Sequence, residues 1–253
     1  MQVKTNFKKF NIGTHQHGRE IDRLQKEQEK MMVEISHELQ TPLSIMKLEL
    51  EMLRGDLSSN PALPKLEHSI DEISKFVYSF MHLAHLESDK EDLAMEPVNF
   101  SELIEELMDY FSVLIVERGI ELTGDIKKDV CVLGDRSKLE EVVTNLISNS
   151  IKYMCKKEDR ERKIYLTLGT NKNKAVVKIK DTGIGINRGD LPYIFDRFYR
   201  TNCDKSDIEK GLGLGLAITK KIVETHSGKI EAKSRINKGS SFTIELPLAD
   251  DTL

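Results

Sequence analysis

Two apolar rows of helical spacing, separated by one short loop, limit what the first part of this chain can become. Ile35, Leu39, Leu43, Met46, Leu50 and Leu53 recur in steps of three and four, and so do Leu66, Ile70, Ile73, Val77, Phe80 and Ala84. Between them, residues 56–64 carry Ser58, Ser59, Asn60, Pro61 and Pro64, a loop composition. Two helices so joined form an antiparallel hairpin, but one hairpin cannot cover both rows. Pairing two copies into a homodimeric four-helix bundle does. The first row extends back through Met31, Leu24 and Ile21, so a helix is expected from Arg19 to about Gly55, long enough to suggest a coiled-coil entry. Residues 1–18 are polar and aperiodic, an expected disordered or linker lead-in.

His37 falls between row residues and so points away from the seam. A lone helical histidine is ordinarily a surface residue, but its neighbours are not ordinary. Glu38 is a carboxylate that could take the imidazole proton and leave the other ring nitrogen nucleophilic. Thr41 stands one turn on, along the same face, and Pro42 removes the backbone bond to the Glu38 carbonyl, which predicts a kink beside His37. The apolar row continues past Pro42 to Leu53, which favours a kink over a helix end.

Charged residues make up 32% of the 253-residue chain, and its net charge of -4 offers no overall attraction to nucleic acid. Three cysteines without C-x-x-C spacing indicate neither a disulfide framework nor a zinc site, and suit a reducing cytoplasm. No apolar run approaches the roughly 18 residues of a membrane helix, and the basic, polar N-terminus lacks a signal-peptide core. The expected chain is soluble.

The heptad pattern stops near residues 91–97, which places a domain boundary there and divides the chain into 19–92 and 93–253. Asn99 and Ser101 offer caps for a helix with Leu103, Leu107, Phe111 and Leu114 on one face. Short strands are expected at Ile120–Leu122 and Val130–Leu133, then a helix from Asp135 to about Met154. Strands follow at Ile164–Leu168 and Ala175–Lys180, a helix at Leu214–His226, and a last hairpin at Lys229–Ser234 and Ser240–Leu246. The order αββαββαββ predicts an α+β fold, helices on one face of a mostly antiparallel sheet.

Three stretches of this second region could hold a nucleotide. Asn145 and Asn149 stand one turn apart on a helix, with Lys152 on the same side and Leu139, Val143, Leu146 and Ile147 opposite. Such a face is either solvated or turned to a cleft, where it would suit a hard cation and phosphate. Asp181-Thr-Gly-Ile-Gly follows a strand: its glycines permit close backbone approach, and its carboxylate can accept from an exocyclic amine; a plain turn is the other reading. Gly211-Leu-Gly-Leu-Gly-Leu216 opens a helix, a place for anions, yet matches neither the P-loop nor the Rossmann spacing. Between the two, residues 187–210 are polar and carry Arg188, Arg197, Arg200, Lys205 and Lys210, either a solvated loop or a basic lid.

Singly these signals are weak; in this order they are specific. His-Glu-x-x-Thr-Pro, Asn-x-x-x-Asn, Asp-x-Gly-x-Gly, Phe-Asp-Arg-Phe-Tyr-Arg at 195–200 and Gly-x-Gly-x-Gly resemble the sensor histidine kinases of two-component systems, from Arg19 to Pro247. The resemblance implies a dimerisation and phosphoacceptor hairpin followed by an α/β-sandwich ATP-binding domain like those of gyrase, Hsp90 and MutL. It implies that His37 is phosphorylated, that Glu38 is its base, that Asn149 ligates magnesium and that Asp181 binds adenine. Lys152 and Tyr153 would lie by phosphate and adenine, and Gly183, Gly185, Gly211, Gly213 and Gly215 would shape the pocket. Asn145, Arg200, Leu212 and Leu214 complete the expected nucleotide-contacting set. Leu212 departs from the family, which usually has Thr or Ser there, and removes a hydroxyl near the phosphates. The implied cofactors are ATP and Mg2+, and the implied partner is an aspartate-bearing response regulator. Glu-x-x-Thr members often dephosphorylate their regulators as well, which assigns a second role to Thr41. No sensor module precedes the hairpin, so any membrane attachment is expected only through a further N-terminal portion.

Overall fold

The computed structural model describes residues 39–41, 43–48, 50–51, 63–87, 93–116, 118–154, 161–201 and 212–249. The chain divides into two compact units, Met1–Glu91 and Asp92–Leu253. His37, Glu38 and Pro42, and with them the expected kink, lie outside the described residues, as do the lead-in and the entry helix.

In the first unit the described part of helix α1 falls within residues 39–51, and α2 spans Leu63–Glu87. Each apolar row splits in two at heptad spacing. Leu43 packs with Val77 and Met81, and Leu50 with Leu63 and Ile70. The alternate members Leu39, Met46, Leu66 and Ile73 stay 43 to 51% exposed. The expected second row of α2 is therefore shifted: Leu63, Ile70, Val77 and Ala84 go inside, while Leu66 and Ile73 do not. A cylinder of 3.6 residues per turn presents seven-residue repeats as two parallel seams, and one neighbouring helix covers only one of them. Lys47 and Asp71 join the helices at 2.7 Å; the pair is exposed and contributes little to stability.

The second unit opens with a strand that the sequence reading missed, β1 at Glu96–Asn99, antiparallel to β3 at Cys131–Gly134. Its four residues include Pro97, too short and too proline-marked for periodicity to reveal. Helix α3 (Phe100–Val116) follows, with Asn99 Oδ1 accepting from the Glu102 amide at 3.3 Å. Ser101 does more than cap: buried, it donates to Lys127 O and accepts from Val130 N, tying down the turn between β2 (Glu121–Ile126) and β3. Leu103, Leu107 and Phe111 are buried as expected, but Leu114 is 50% exposed, and Ile104 and Ile115 take the inner positions. The inner row steps by four after Phe111, from 111 to 115, where a step of three was expected.

Helix α4 spans Arg136–Lys152, β4 Lys163–Asn171, β5 Lys174–Asp181, α5 Gly215–Thr225, β6 Lys229–Arg235 and β7 Gly239–Pro247. The larger sheet runs β2-β4-β5-β7-β6, with β2 parallel to β4 and every other pair antiparallel. Strand alternation sends Ile164, Leu166 and Leu168 of β4, Val177 and Ile179 of β5, and Phe242, Ile244 and Leu246 of β7 to the buried face. Helices α3, α4 and α5 lie against β2, β5 and β6 respectively, and Leu139, Val143, Leu146 and Ile147 of α4 are wholly buried. This is the helices-on-one-face arrangement that the element order predicts. Among the described residues no helix is long and apolar enough to cross a membrane.

Two polar ties fix the start of α4. Asp135 is its N-cap and accepts on Oδ1 from the amides of Ser137 and Lys138, while Oδ2 accepts from Ala94 N. Buried His226, at the end of α5, accepts on Nε2 from Asp135 N at 3.0 Å, with its Nδ1 2.7 Å from Ile222 O. Burial pushes the Asp135 carboxyl up, but the bonds from Ser137, Lys138 and Ala94 outweigh it and hold the group below the usual carboxylate range. Replacing Asp135 with Ala should cost about 1 to 2 kcal/mol, with Asn restoring most of it, read by native-state hydrogen exchange at the α4 amides. Since the folded carboxyl is the more acidic, the contribution is present above the ordinary carboxylate range and is lost as pH falls through the folded value.

Candidate functional site

The buried carboxylate at the end of β5 anchors a cavity between the sheet and α4. Asp181 is 5% exposed, and its Oδ1 accepts from Gly183 N at 2.8 Å and from Ser240 N at 3.1 Å. Desolvation raises its pKa above the ordinary carboxylate range, more than those backbone bonds lower it. One oxygen is thus committed to the scaffold. Ser240, at the start of β7, is a functional residue with no sequence signal: it acts through its backbone amide.

The Asp-x-Gly-x-Gly turn wraps this carboxylate. Gly185 has φ +73°, and a Cβ there would collide with the Arg235 carbonyl. Its neighbours explain the tightness: Ile184 N donates to Tyr153 O and Ile184 O accepts from Asn237 N, clamping the turn between the end of α4 and the β6–β7 hairpin. Gly213 has φ +74°, and a Cβ there would lie 2.8 Å from the Phe198 carbonyl carbon. Phe198 N donates to Gly213 O at 2.9 Å, so the Phe-Asp-Arg-Phe-Tyr-Arg stretch is bonded to the glycine-rich entry of α5.

Of the residues singled out in the sequence, Asn149, Tyr153, Asp181, Gly185 and Arg200 line the cavity. Asn145, Lys152, Gly183, Leu212, Gly213, Leu214 and Gly215 do not line it, and Gly211 lies outside the described residues. Asn145 stands behind the wall: its Nδ2 lies 2.5 Å from Gly215 O and 2.7 Å from Thr219 Oγ1, pinning the first turn of α5 to α4. Leu214 is buried in the core, and Lys152 lies over the Tyr153 ring at 5.6 Å. Asn149 Nδ2 points to Asn145 Oδ1 at 3.5 Å, which leaves its own Oδ1 available as an acceptor.

The apolar walls were the least legible part. Ile184, Ile186, Ile194, Leu216 and Phe242 line the cavity. Phe242 could have been found from the inward alternation of β7. Ile194 could not, because it is a buried residue inside a polar, aperiodic stretch that reads as non-core. Residues 187–201 form successive turns, closed by a Tyr199 OH donated to Asp190 Oδ1 at 2.7 Å. An apolar slot with one buried acceptor at its base, an amide oxygen and the exposed Arg200 on its border suits a flat heteroaromatic ring carrying an amine and an anionic tail.

Comparison with known proteins agrees. The family described as "Histidine kinase-, DNA gyrase B-, and HSP90-like ATPase" matches residues 134–250, and "His Kinase A (phospho-acceptor) domain" matches residues 27–89. Sensor histidine kinase RppB of Synechocystis is 32% identical over 228 residues, 88% of this chain and 49% of that protein. Signal transduction histidine-protein kinase BaeS of Escherichia coli is 31% identical over 235 residues, 91% and 49%. The catalytic domain of histidine kinase ThkA, in a nucleotide-free form, superposes with a TM-score of 0.52 at 30% identity, covering 60% of this chain and 95% of that one. The chain spans about half the length of the curated relatives it matches. With a phospho-acceptor hairpin matched ahead of an ATPase-type unit, it belongs to the sensor histidine kinases of two-component systems.

Proposed function

We propose that this chain binds Mg-ATP in its second unit and transfers the γ-phosphoryl group to His37, then to an aspartate of a response regulator. The observation that carries the nucleotide assignment is Asp181: its Oδ1 is held by two backbone amides at the base of an apolar slot, so Oδ2 remains to accept from the adenine amine. Tyr153, Ile194 and Phe242 supply surfaces for the ring, and Arg200 supplies a cation for the phosphates. Asn149 Oδ1 would hold magnesium, which would supply charge neutralisation beside the phosphates.

In the transfer a ring nitrogen of His37 forms a bond to the γ-phosphorus as the bond to the ADP oxygen breaks, and Glu38 takes the proton from the other nitrogen. The regulator's aspartate carboxylate then displaces the imidazole. Hydrolysis as the main activity is disfavoured by Asn145, which is no base and whose amide is engaged with Gly215 and Thr219. The exposed seam of Leu39, Met46, Leu66 and Ile73 supports a homodimer, a second copy covering what the hairpin leaves open. Thr41, exposed on α1, is assigned to orienting water against the regulator's acyl phosphate.

Incubation with γ-labelled ATP and magnesium tests the central reading: wild-type chain should take up acid-labile, base-stable label, and His37→Gln should take up none while still binding ADP. Label persisting on that variant would move the acceptor elsewhere. Asp181→Ala should weaken ADP binding at least about tenfold, since a buried donor on the ring loses its acceptor.

Acid should separate two effects of the Asp181 carboxyl. Its folded pKa is raised, so the nucleotide-free unit gains stability as pH falls through that value, while ADP affinity, which needs the ionised acceptor, falls over the same range. Calorimetric titration of ADP across acid pH, beside unfolding curves, reads both signs. For Thr41→Ala, near-normal His37 labelling with lost regulator dephosphorylation supports the assignment; equal damage to both activities points to a structural role.

A further inference from the structure

Strand alternation gives the sheet a second face that the nucleotide does not use. On β5, Ala175, Val177, Ile179 and Asp181 point inward, and Lys178 and Lys180 are exposed on the other side. One row crosses four strands on that open face: Tyr165 of β4 pairs with Lys180 of β5, Lys180 with Ser241 of β7, and Ser241 with Lys233 of β6. We propose that this row is an anion-binding subsite, centred on Ser241, that docks a carboxylate on an acidic segment of a partner protein.

Three observations converge on it. Ser241 Oγ is the buried side-chain polar atom without a hydrogen-bond partner among the described residues. Such a hydroxyl is costly unless something else satisfies it. The flanking lysines are the second observation: Lys180 and Lys233 are exposed and make no ion pair among the described residues, whereas Lys163, Lys174 and Lys229 of the same sheet pair with Glu121, Glu245 and Glu231. Strands lie about 4.8 Å apart, so the two lysine Cα atoms stand on the order of 10 Å from one another, and their flexible stems can bring both ammonium groups onto one anion above Ser241. Third, Lys180 Nζ sits 5.7 Å from the Tyr165 ring centroid, a contact that restrains it on the open face and sets an apolar platform beside the charge.

The occupant follows from where the charge lies. Asp125, Glu231 and Glu245 are outward positions of the same sheet, so an extended anionic surface such as a bilayer would meet repulsion as well as attraction. A discrete carboxylate on a peptide meets the row at its two lysines, while Asp125 and Glu231 stand at the two ends of the neighbouring row, with Lys178 between Thr167 and Thr243 at its centre. The ring of Tyr165 and the hydroxyl-bearing positions Thr167 and Thr243 of the neighbouring row fit a polypeptide laid across the strands.

Fluorescence anisotropy with the full chain and a labelled hexaglutamate peptide at low salt tests the site. Lys180→Gln/Lys233→Gln should weaken the peptide about tenfold and Ser241→Ala about threefold, in line with charge-assisted bonds, with ADP affinity unchanged in both. The charge-matched control Lys128→Gln/Lys172→Gln, on two turns away from the row, should leave peptide affinity where it was. A control as damaging as the site pair would mean diffuse attraction and overturn the proposal. So would co-sedimentation with phosphatidylserine-containing vesicles in the absence of hexaglutamate binding.

Discussion

The second unit hangs on one oxygen atom. Asp181 Oδ1 accepts from the residue two places ahead, Gly183, and from Ser240, which is remote in sequence and begins a different strand. These bonds lock the end of β5, the turn after it and the start of β7 into one piece, in a place where a carboxylate must be desolvated. A buried charge is costly unless it is bonded, so the surroundings have little freedom: the turn has to double back closely enough to present amides, and that closeness excludes side chains at its glycines. The cavity is the space left by this constraint. Helix α4 forms its other wall, and Asn145 keeps α5 at a fixed distance from α4.

What the sequence made legible follows from where the signal physically resides. Side-chain periodicity reports burial, so α4, β4, β5, α5 and the β6–β7 hairpin could be read to within a few residues of their observed ends. Backbone-mediated features leave no such trace. Ser240 contributes an amide that any residue but proline possesses, and β1 is a four-residue strand made visible only by its pairing with β3. Leu114 shows the limit of periodicity itself: a three–four pattern leaves the last turn ambiguous, and the helix resolved it toward Ile115.

Motif residues carried a different kind of information. The sequence points to Asp181, Asn149 and Asn145 for the same chemistry; the first two border the cavity, while the Asn145 amide is bonded to Gly215 behind its wall. Nothing in an Asn-x-x-x-Asn spacing distinguishes the two placements, because both amides lie on one helix face and differ only in what packs opposite. The apolar slot was invisible for the converse reason. Its walls come from four separate segments, and hydrophobic residues that line a ligand site read as ordinary core.

The split seam of the hairpin has a consequence of its own. Leu43 and Leu50 face inward on α1, while Leu39 and Met46 remain outside, and the two pairs share their seven-residue spacing and apolar character. Turning the helix about its axis by the angle between the rows would exchange them with little change in buried apolar area. Hydrophobic free energy is therefore nearly degenerate between the two settings, and the choice falls to weak, directional contacts such as Lys47 with Asp71. Within the hairpin, the setting of α1 rests on such directional contacts more than on the amount of apolar surface that is buried.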